Sequence, residues 1–174
     1  MKIAQNLFIA FLLVMGTSIQ AQSYGNKADI VDTAASVDDL STLVAAVKAA
    51  DLVETLKSDG PFTVFAPTND AFDALPDGTV ETLLKPENKK TLQSILTYHV
   101  VSGKVMASDV VNAIKKNDGK FTIKTVQGGN LYAMMDGSNV ILKDEKGNTS
   151  TIIKTDVKTS NGVVHLLDSV VMPK

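Results

Sequence analysis

The sequence predicts an α+β fold, with helices mainly in the first half and antiparallel strands mainly in the second. Three observations carry that reading. Between Ser36 and His99, leucine and valine recur at three- and four-residue spacing, the period of a helix buried on one face. After Val100 the period falls toward 2, the period of a strand. Turn signals then punctuate the chain: Asn117-Asp118-Gly119, Gly128-Gly129, Asp136-Gly137, Lys146-Gly147-Asn148 and Asn161-Gly162. Keeping the two periods apart argues against an alternating βαβ parallel sheet.

The chain opens differently. Lys2 precedes a compact apolar run, Leu7 to Met15, and small residues lead to Ala21. This pattern predicts a secretory signal peptide over residues 1–21. The run is shorter than the about 20 apolar residues that a membrane span requires. No later stretch is long and uncharged enough to span, so no transmembrane segment is expected after cleavage. Residues 22–35 are polar and aperiodic and read as an N-terminal arm. Residues 36–174 form the domain.

Ser36 with Asp39 three residues later reads as a capping box. It opens a helix with Leu40, Leu43, Val44 and Val47 on one face. Leu52, Val53 and Leu56 mark a second short helix, stopped by Gly60-Pro61. FTVFAP, residues 62–67, is a buried strand. Thr68 caps a short helix with Asp70 in its first turn and Phe72 and Leu75 facing inward. After a turn at Pro76-Asp77-Gly78, Thr79 starts another helix. Pro86 suits the first position of the next one. That helix aligns Leu92, Ile95 and Leu96 and ends near Tyr98-His99. Val100-Val101 and Lys104 to Met106 read as strands around a Ser102-Gly103 turn. Ser108 caps one helical turn through Val111 and Ile114. Asn117-Asp118-Gly119 signals a hairpin. Strands follow at 120–126, 131–135, 140–143, 150–154 and 163–171.

Composition excludes several functions. The formal net charge is −2, and all 17 basic residues are lysine. A nucleic-acid binder shows a basic surface and uses arginine for bidentate contacts, so nucleic acid is not an expected partner. The chain has no cysteine. An exported domain without disulfides relies on its core alone, and it has neither a thiolate metal ligand nor a cysteine nucleophile. A short signal and no disulfides fit a bacterial exported protein.

Catalytic candidates are few. His99 and His165 are the only histidines, so a triad has at most two candidate bases. The sequence has no G-x-S-x-G elbow, P-loop or G-x-G-x-x-G. The histidines are too far apart for an H-E-x-x-H zinc site. Asp38-Asp39, Asp70 with Asp73, and Asp144-Glu145 are the close acidic groupings. The first and last read as a helix start and a turn, and Asp70 as a capping or hydrogen-bonding residue, rather than as glycosidase carboxylates. No cofactor or metal is expected.

Three stretches occur in order: TVFAPTNDAF (63–72), LTYHVVSGKV (96–105) and NGVVHLLDSVVMP (161–173). Together they resemble the fasciclin domain, over residues 36–173. The resemblance implies a wedge of twisted β-strands with a bundle of short helices on one side. It implies that the first and last motifs lie together in the core, with Thr68, Asn69 and Asp70 at a helix start near Tyr98-His99. In that core, His99 and His165 would act as structural hydrogen-bonders, and Asn161, Gly162 and His165 would belong to the closing motif. Function in the family is adhesion. Animal members are linked to integrins through the Tyr-His region and a Glu-Pro-Asp-Ile-Met stretch. Here that stretch reads Lys154-Thr155-Asp156-Val157-Lys158. The resemblance therefore offers Tyr98, His99, Asp156 and Val157 as candidate interaction residues.

Two functions follow as expectations. One is a secreted, non-enzymatic adhesion module, periplasmic or extracellular, whose partner is a surface or matrix protein or polysaccharide. The other is a carrier of a small apolar ligand such as a carotenoid or lipid, because some relatives bind carotenoids. Met106, Met134, Met135 and Met172 would give such a carrier adaptable apolar surface.

Overall fold

The computed structural model describes residues 28–174. The expected signal peptide and the start of the arm lie outside the described residues. The helical half comprises α1 (Ile30–Ala35), α2 (Ser41–Ala49), α3 (Val53–Lys57), α4 (Asn69–Asp73), α5 (Thr79–Leu83) and α6 (Lys89–Tyr98). Strand β1 (Phe62–Pro67) is embedded among them. After β2 (Val100–Ser102) and α7 (Ala107–Lys116) come β3 (Lys120–Lys124), β4 (Asn130–Asp136), β5 (Asn139–Lys143), β6 (Thr149–Lys158) and β7 (Gly162–Leu167).

The strands form one sheet in the order β2-β1-β7-β6-β5-β4-β3. Its pairs are antiparallel except β1 with β7, which run parallel with Phe62 opposite Gly162 and Pro67 opposite Leu167. Sequence periodicity reads all the later strands as antiparallel. It misses this parallel pair because the two strands come from opposite ends of the domain and everything between them serves as the crossover.

β1 and β7 are covered on both faces, so each is an almost unbroken buried run. Val64, Ala66, Val164 and Leu166 face a core built with α1, α2 and α6. Phe65 and Leu167 face a second core with Tyr98, Val110, Ile114, Leu131 and Leu142. Period 2 therefore decides which core each residue of the closing motif enters, and His165 falls on the Phe65 side.

Several expectations change. The second half of the arm is helical: Asp29 caps α1 by accepting from Asp32 N at 2.8 Å, and Ile30, Val31 and Ala34 are buried. Six residues are too few to display a period. Ser36 ends α1 rather than opening α2, and its hydroxyl donates to Thr33 O at 2.7 Å. Residues 104–106 form no strand, and Ser108 lies inside the ten-residue α7. Asn117-Asp118-Gly119 is not a hairpin. Asp118 is left-handed (φ 52°) and Gly119 N donates to Ile114 O at 2.9 Å, which is the bond pattern of a helix C-terminal cap. The last strand ends at Leu167, and residues 168–174 pack without strand structure.

Candidate functional site

The three motifs meet where β1, β7 and the end of α6 converge. The carbonyl of His99 accepts from Phe65 N at 2.9 Å, which fastens the helix end to the first motif. Thr68 N donates to Leu167 O at 3.1 Å, which fastens the first motif to the last. Thr68 also caps α4, its hydroxyl oxygen accepting from Ala71 N at 3.4 Å. Asn69 turns away to the start of α2, where its amide oxygen accepts from Thr42 N at 3.0 Å and its amide nitrogen donates to Asp38 O at 2.9 Å. Asp70 is exposed in the first turn of α4. The link from this group to Tyr98-His99 thus runs through the β1 backbone at Phe65.

Tyr98 and His99 are inside the protein, 0% and 1% exposed. The Tyr98 hydroxyl donates to Asn130 O at 2.6 Å and accepts from Glu145 N at 3.3 Å, so it closes the β3–β4 and β5–β6 turns over the end of α6. Burial pushes its phenol up to about 12. Gly129 next to it is explained by this ring, since a Cβ there would lie 2.8 Å from Tyr98 Cε2.

His99 Nε2 accepts from Val171 N at 3.3 Å, which leaves the proton on Nδ1, where it is donated to Ile95 O at 2.8 Å. Burial lowers its pKa to about 4, so the ring is neutral at ordinary pH. His165 is also 1% exposed. Its Nδ1 accepts from Asp156 N at 3.2 Å and its Nε2 donates to Val105 O at 2.9 Å. The ring stacks on Phe65, with centroids 5.6 Å apart. Both histidines spend both nitrogens on backbone groups, as buried polar side chains must.

Asp156 sits at an irregularity of β6 with φ 56°. Its carboxylate accepts from Ala107 N at 2.9 Å, the first residue of α7. Val157 is half-buried against the helical core. The four candidate interaction residues are therefore fixtures of the fold: two are buried, one anchors α7 and one is packed.

Asn161 ties three elements together. Its amide oxygen accepts from Ile30 N at 3.0 Å, and its amide nitrogen donates to Leu56 O at 2.7 Å and Ser58 O at 3.1 Å. Gly162 is required by close approach, since a Cβ there would lie 2.0 Å from Phe62 O.

Sequence reasoning treats Asp144 as a turn residue and misses its reach. It is 2% exposed and accepts from Lys146 N, Asn148 N, Asn148 Nδ2 and Met172 N, at 2.8–2.9 Å. The last of these bonds is long-range and leaves no sequence signal. Asp168 accepts from Thr151 N at 2.7 Å and from Ser150 Oγ at 3.2 Å. Burial alone would raise its pKa; these hydrogen bonds hold it below the usual carboxylate value. Among the described residues, no group of three histidine or carboxylate side chains is placed to hold a metal ion. No buried side-chain nitrogen or oxygen lacks a partner there. No helix among them is long and apolar enough to cross a membrane.

One apolar cavity of about 50 Å³ lies between α1, α2 and the β1 face, lined by Ile30, Val47, Phe62, Leu96 and Val164 among others. None of the four methionines lines it.

Comparison with known proteins agrees with this architecture. The family model described as "Fasciclin domain" matches residues 38–173. Protein sll1483 of Synechocystis is 52% identical over 145 residues, 83% of this chain and 73% of that protein. Immunogenic protein MPB70 of Mycobacterium bovis is 37% identical over 159 residues, 88% of this chain and 74% of that one. Human periostin is 32% identical over 162 residues, 93% of this chain, which spans only 16% of periostin. Among solved structures, a FAS1 domain pair from the insect cell adhesion molecule fasciclin I superposes with a TM-score of 0.60 at 20% identity, covering 76% of this chain and 45% of that one. At that identity the likeness speaks for the fold alone. With the family model and these relatives in agreement over nearly all the described residues, the chain belongs to the fasciclin domain family.

Proposed function

We propose that this protein is a secreted, non-enzymatic adhesion module that attaches a cell to a protein or polysaccharide of a cell surface or matrix. The observation that carries the reading is a fasciclin-domain match over residues 38–173, the family in which the resemblance of the three motifs implies adhesion. The signal-peptide pattern of residues 1–21 supports export. The chemistry of the histidines argues against their acting as catalytic bases: His99 stays neutral down to about pH 4, and both rings are sealed inside with their nitrogens occupied. A general base has to reach its substrate, and neither ring does. Deletion of the gene, followed by an attachment or biofilm assay, tests the proposal. Reduced attachment that is restored by the wild-type gene is expected; unchanged attachment would sink the idea.

A second reading, carriage of an apolar ligand, is favoured by the cavity beside α1 and α2. Magnitude argues against it. An apolar cavity of about 150 Å³ takes one benzene, and this one has about a third of that volume. A carotenoid or lipid would have to part α1 and α2 from β1. Protein purified from its own host decides: a co-purifying chromophore or lipid supports a carrier, and a colourless, lipid-free protein opposes one.

A further inference from the structure

The outer face of β3–β5 carries a groove of about 390 Å³, lined by Lys120, Tyr132, Lys143, Lys146 and Lys174. Strand register builds it. Lys120 lies opposite Met134, and Tyr132 lies opposite Lys143, so alternate residues of three strands point the same way. A second groove of about 340 Å³ shares Lys146 and Lys174 and continues past Lys90 on α6. The two grooves form a path with five lysines on a chain whose formal net charge is −2.

These lysines are available. The ion pairs among the described residues use Lys57 and Lys89, so none of the five has a carboxylate partner. The carboxylates along the path are engaged by N–H groups: Asp144 accepts four such bonds, and Glu145 accepts from Asn130 N at 3.2 Å. Lys120 is pre-positioned, its ammonium 4.2 Å from the centre of the Tyr132 ring.

We propose that this lysine-lined path binds an anionic polysaccharide, a linear chain bearing repeated carboxylate or sulfate groups. The inference rests on the adhesion reading and names the partner class. Point-charge ammonium groups spaced along a groove suit monodentate anions repeated along a chain. The chain lacks arginine, whose fork grips an anion bidentately, so each contact along the path is a single ammonium group on an anion. A concave path also fits a strand better than a flat membrane surface.

The test uses the purified full chain and four probes: immobilised polygalacturonate, dextran sulfate, neutral dextran, and vesicles of equimolar phosphatidylcholine and phosphatidylglycerol. Binding to the two polyanions, weakening with salt, is expected, with none to dextran. The K120Q/K143Q/K146Q variant should bind the polyanions about tenfold more weakly, each exposed contact contributing a fraction of that change. The charge-matched control K48Q/K115Q/K116Q should stay within about twofold of wild type. Thermal melts coincident with wild type show that both variants fold. Equal losses in the two variants, binding to the vesicles but not to the polyanions, or no polyanion binding by wild type would each overturn the proposal. Attachment to cells separates the two claims. A groove variant that keeps polyanion binding and attaches as well as wild type overturns the polysaccharide site and leaves adhesion standing. A wild type that binds polygalacturonate through the groove but does not attach overturns adhesion and leaves the site.

Discussion

His99 and His165 resemble catalytic groups in composition and behave as mortar in structure. Each joins two backbone groups that no strand or helix bond reaches: Ile95 O and Val171 N at one ring, Val105 O and Asp156 N at the other. His99→Gln and His165→Gln should each lose about 1–3 kcal/mol in urea unfolding, because a glutamine satisfies at most part of each pair and leaves a buried group unmet. A variant that keeps full stability would show that the histidine bonds are dispensable. The neutral state of His99 adds a pH signature. Its folded pKa, about 4, lies below the ordinary histidine value of about 6.5, so the unfolded chain takes up the proton first. The stability it contributes is present above pH 6.5 and is lost as the pH falls from there toward 4, in total on the order of 3 kcal/mol. Melting temperature against pH should fall over that window, and the His99→Gln variant should show a shallower slope. At this scale the identities of the motif residues are legible in the sequence and their exposure is not. Tyr98 lies next to a helix end, which says nothing about the Asn130 and Glu145 turns that close over it.

Elements were legible where the local signal was unambiguous. β1 is bounded by Gly60-Pro61 and by a Thr68 cap, and it starts and stops at the residues expected. The face of α6 that carries Leu92, Ile95 and Leu96 is likewise buried as its spacing predicts. Signals that two structures share were misread. Asn-Asp-Gly supplies left-handed residues to a hairpin or to a helix cap, and only the position of α7 decides between them. The break in β6 also has no sequence signature. It puts Asp156 in a left-handed conformation with its carboxylate on the first N–H of α7, while the same residue's N–H meets His165. Asp156→Ala should therefore cost about 1–2 kcal/mol, through the lost helix anchor and the strained φ. Hydrogen exchange should quicken at the start of α7. Asp156→Asn keeps an oxygen for Ala107 N and should retain most of the stability; an alanine variant as stable as wild type would remove the anchor from the account.

Across the whole molecule, the parallel pairing of β1 with β7 places the first and last motifs on adjacent inner strands of one sheet with a core on either side. That arrangement explains why motifs so far apart in sequence share one neighbourhood and why so little of them reaches the surface. Under the proposed reading, recognition would fall to side chains outside the motifs, including the lysines over the outer sheet face. Attachment is tested most simply by sedimenting the purified protein with cells of a strain lacking the gene. Saturable co-sedimentation at neutral pH that weakens with salt is expected. Protein that stays in the supernatant at every cell density, while fully folded, would contradict it.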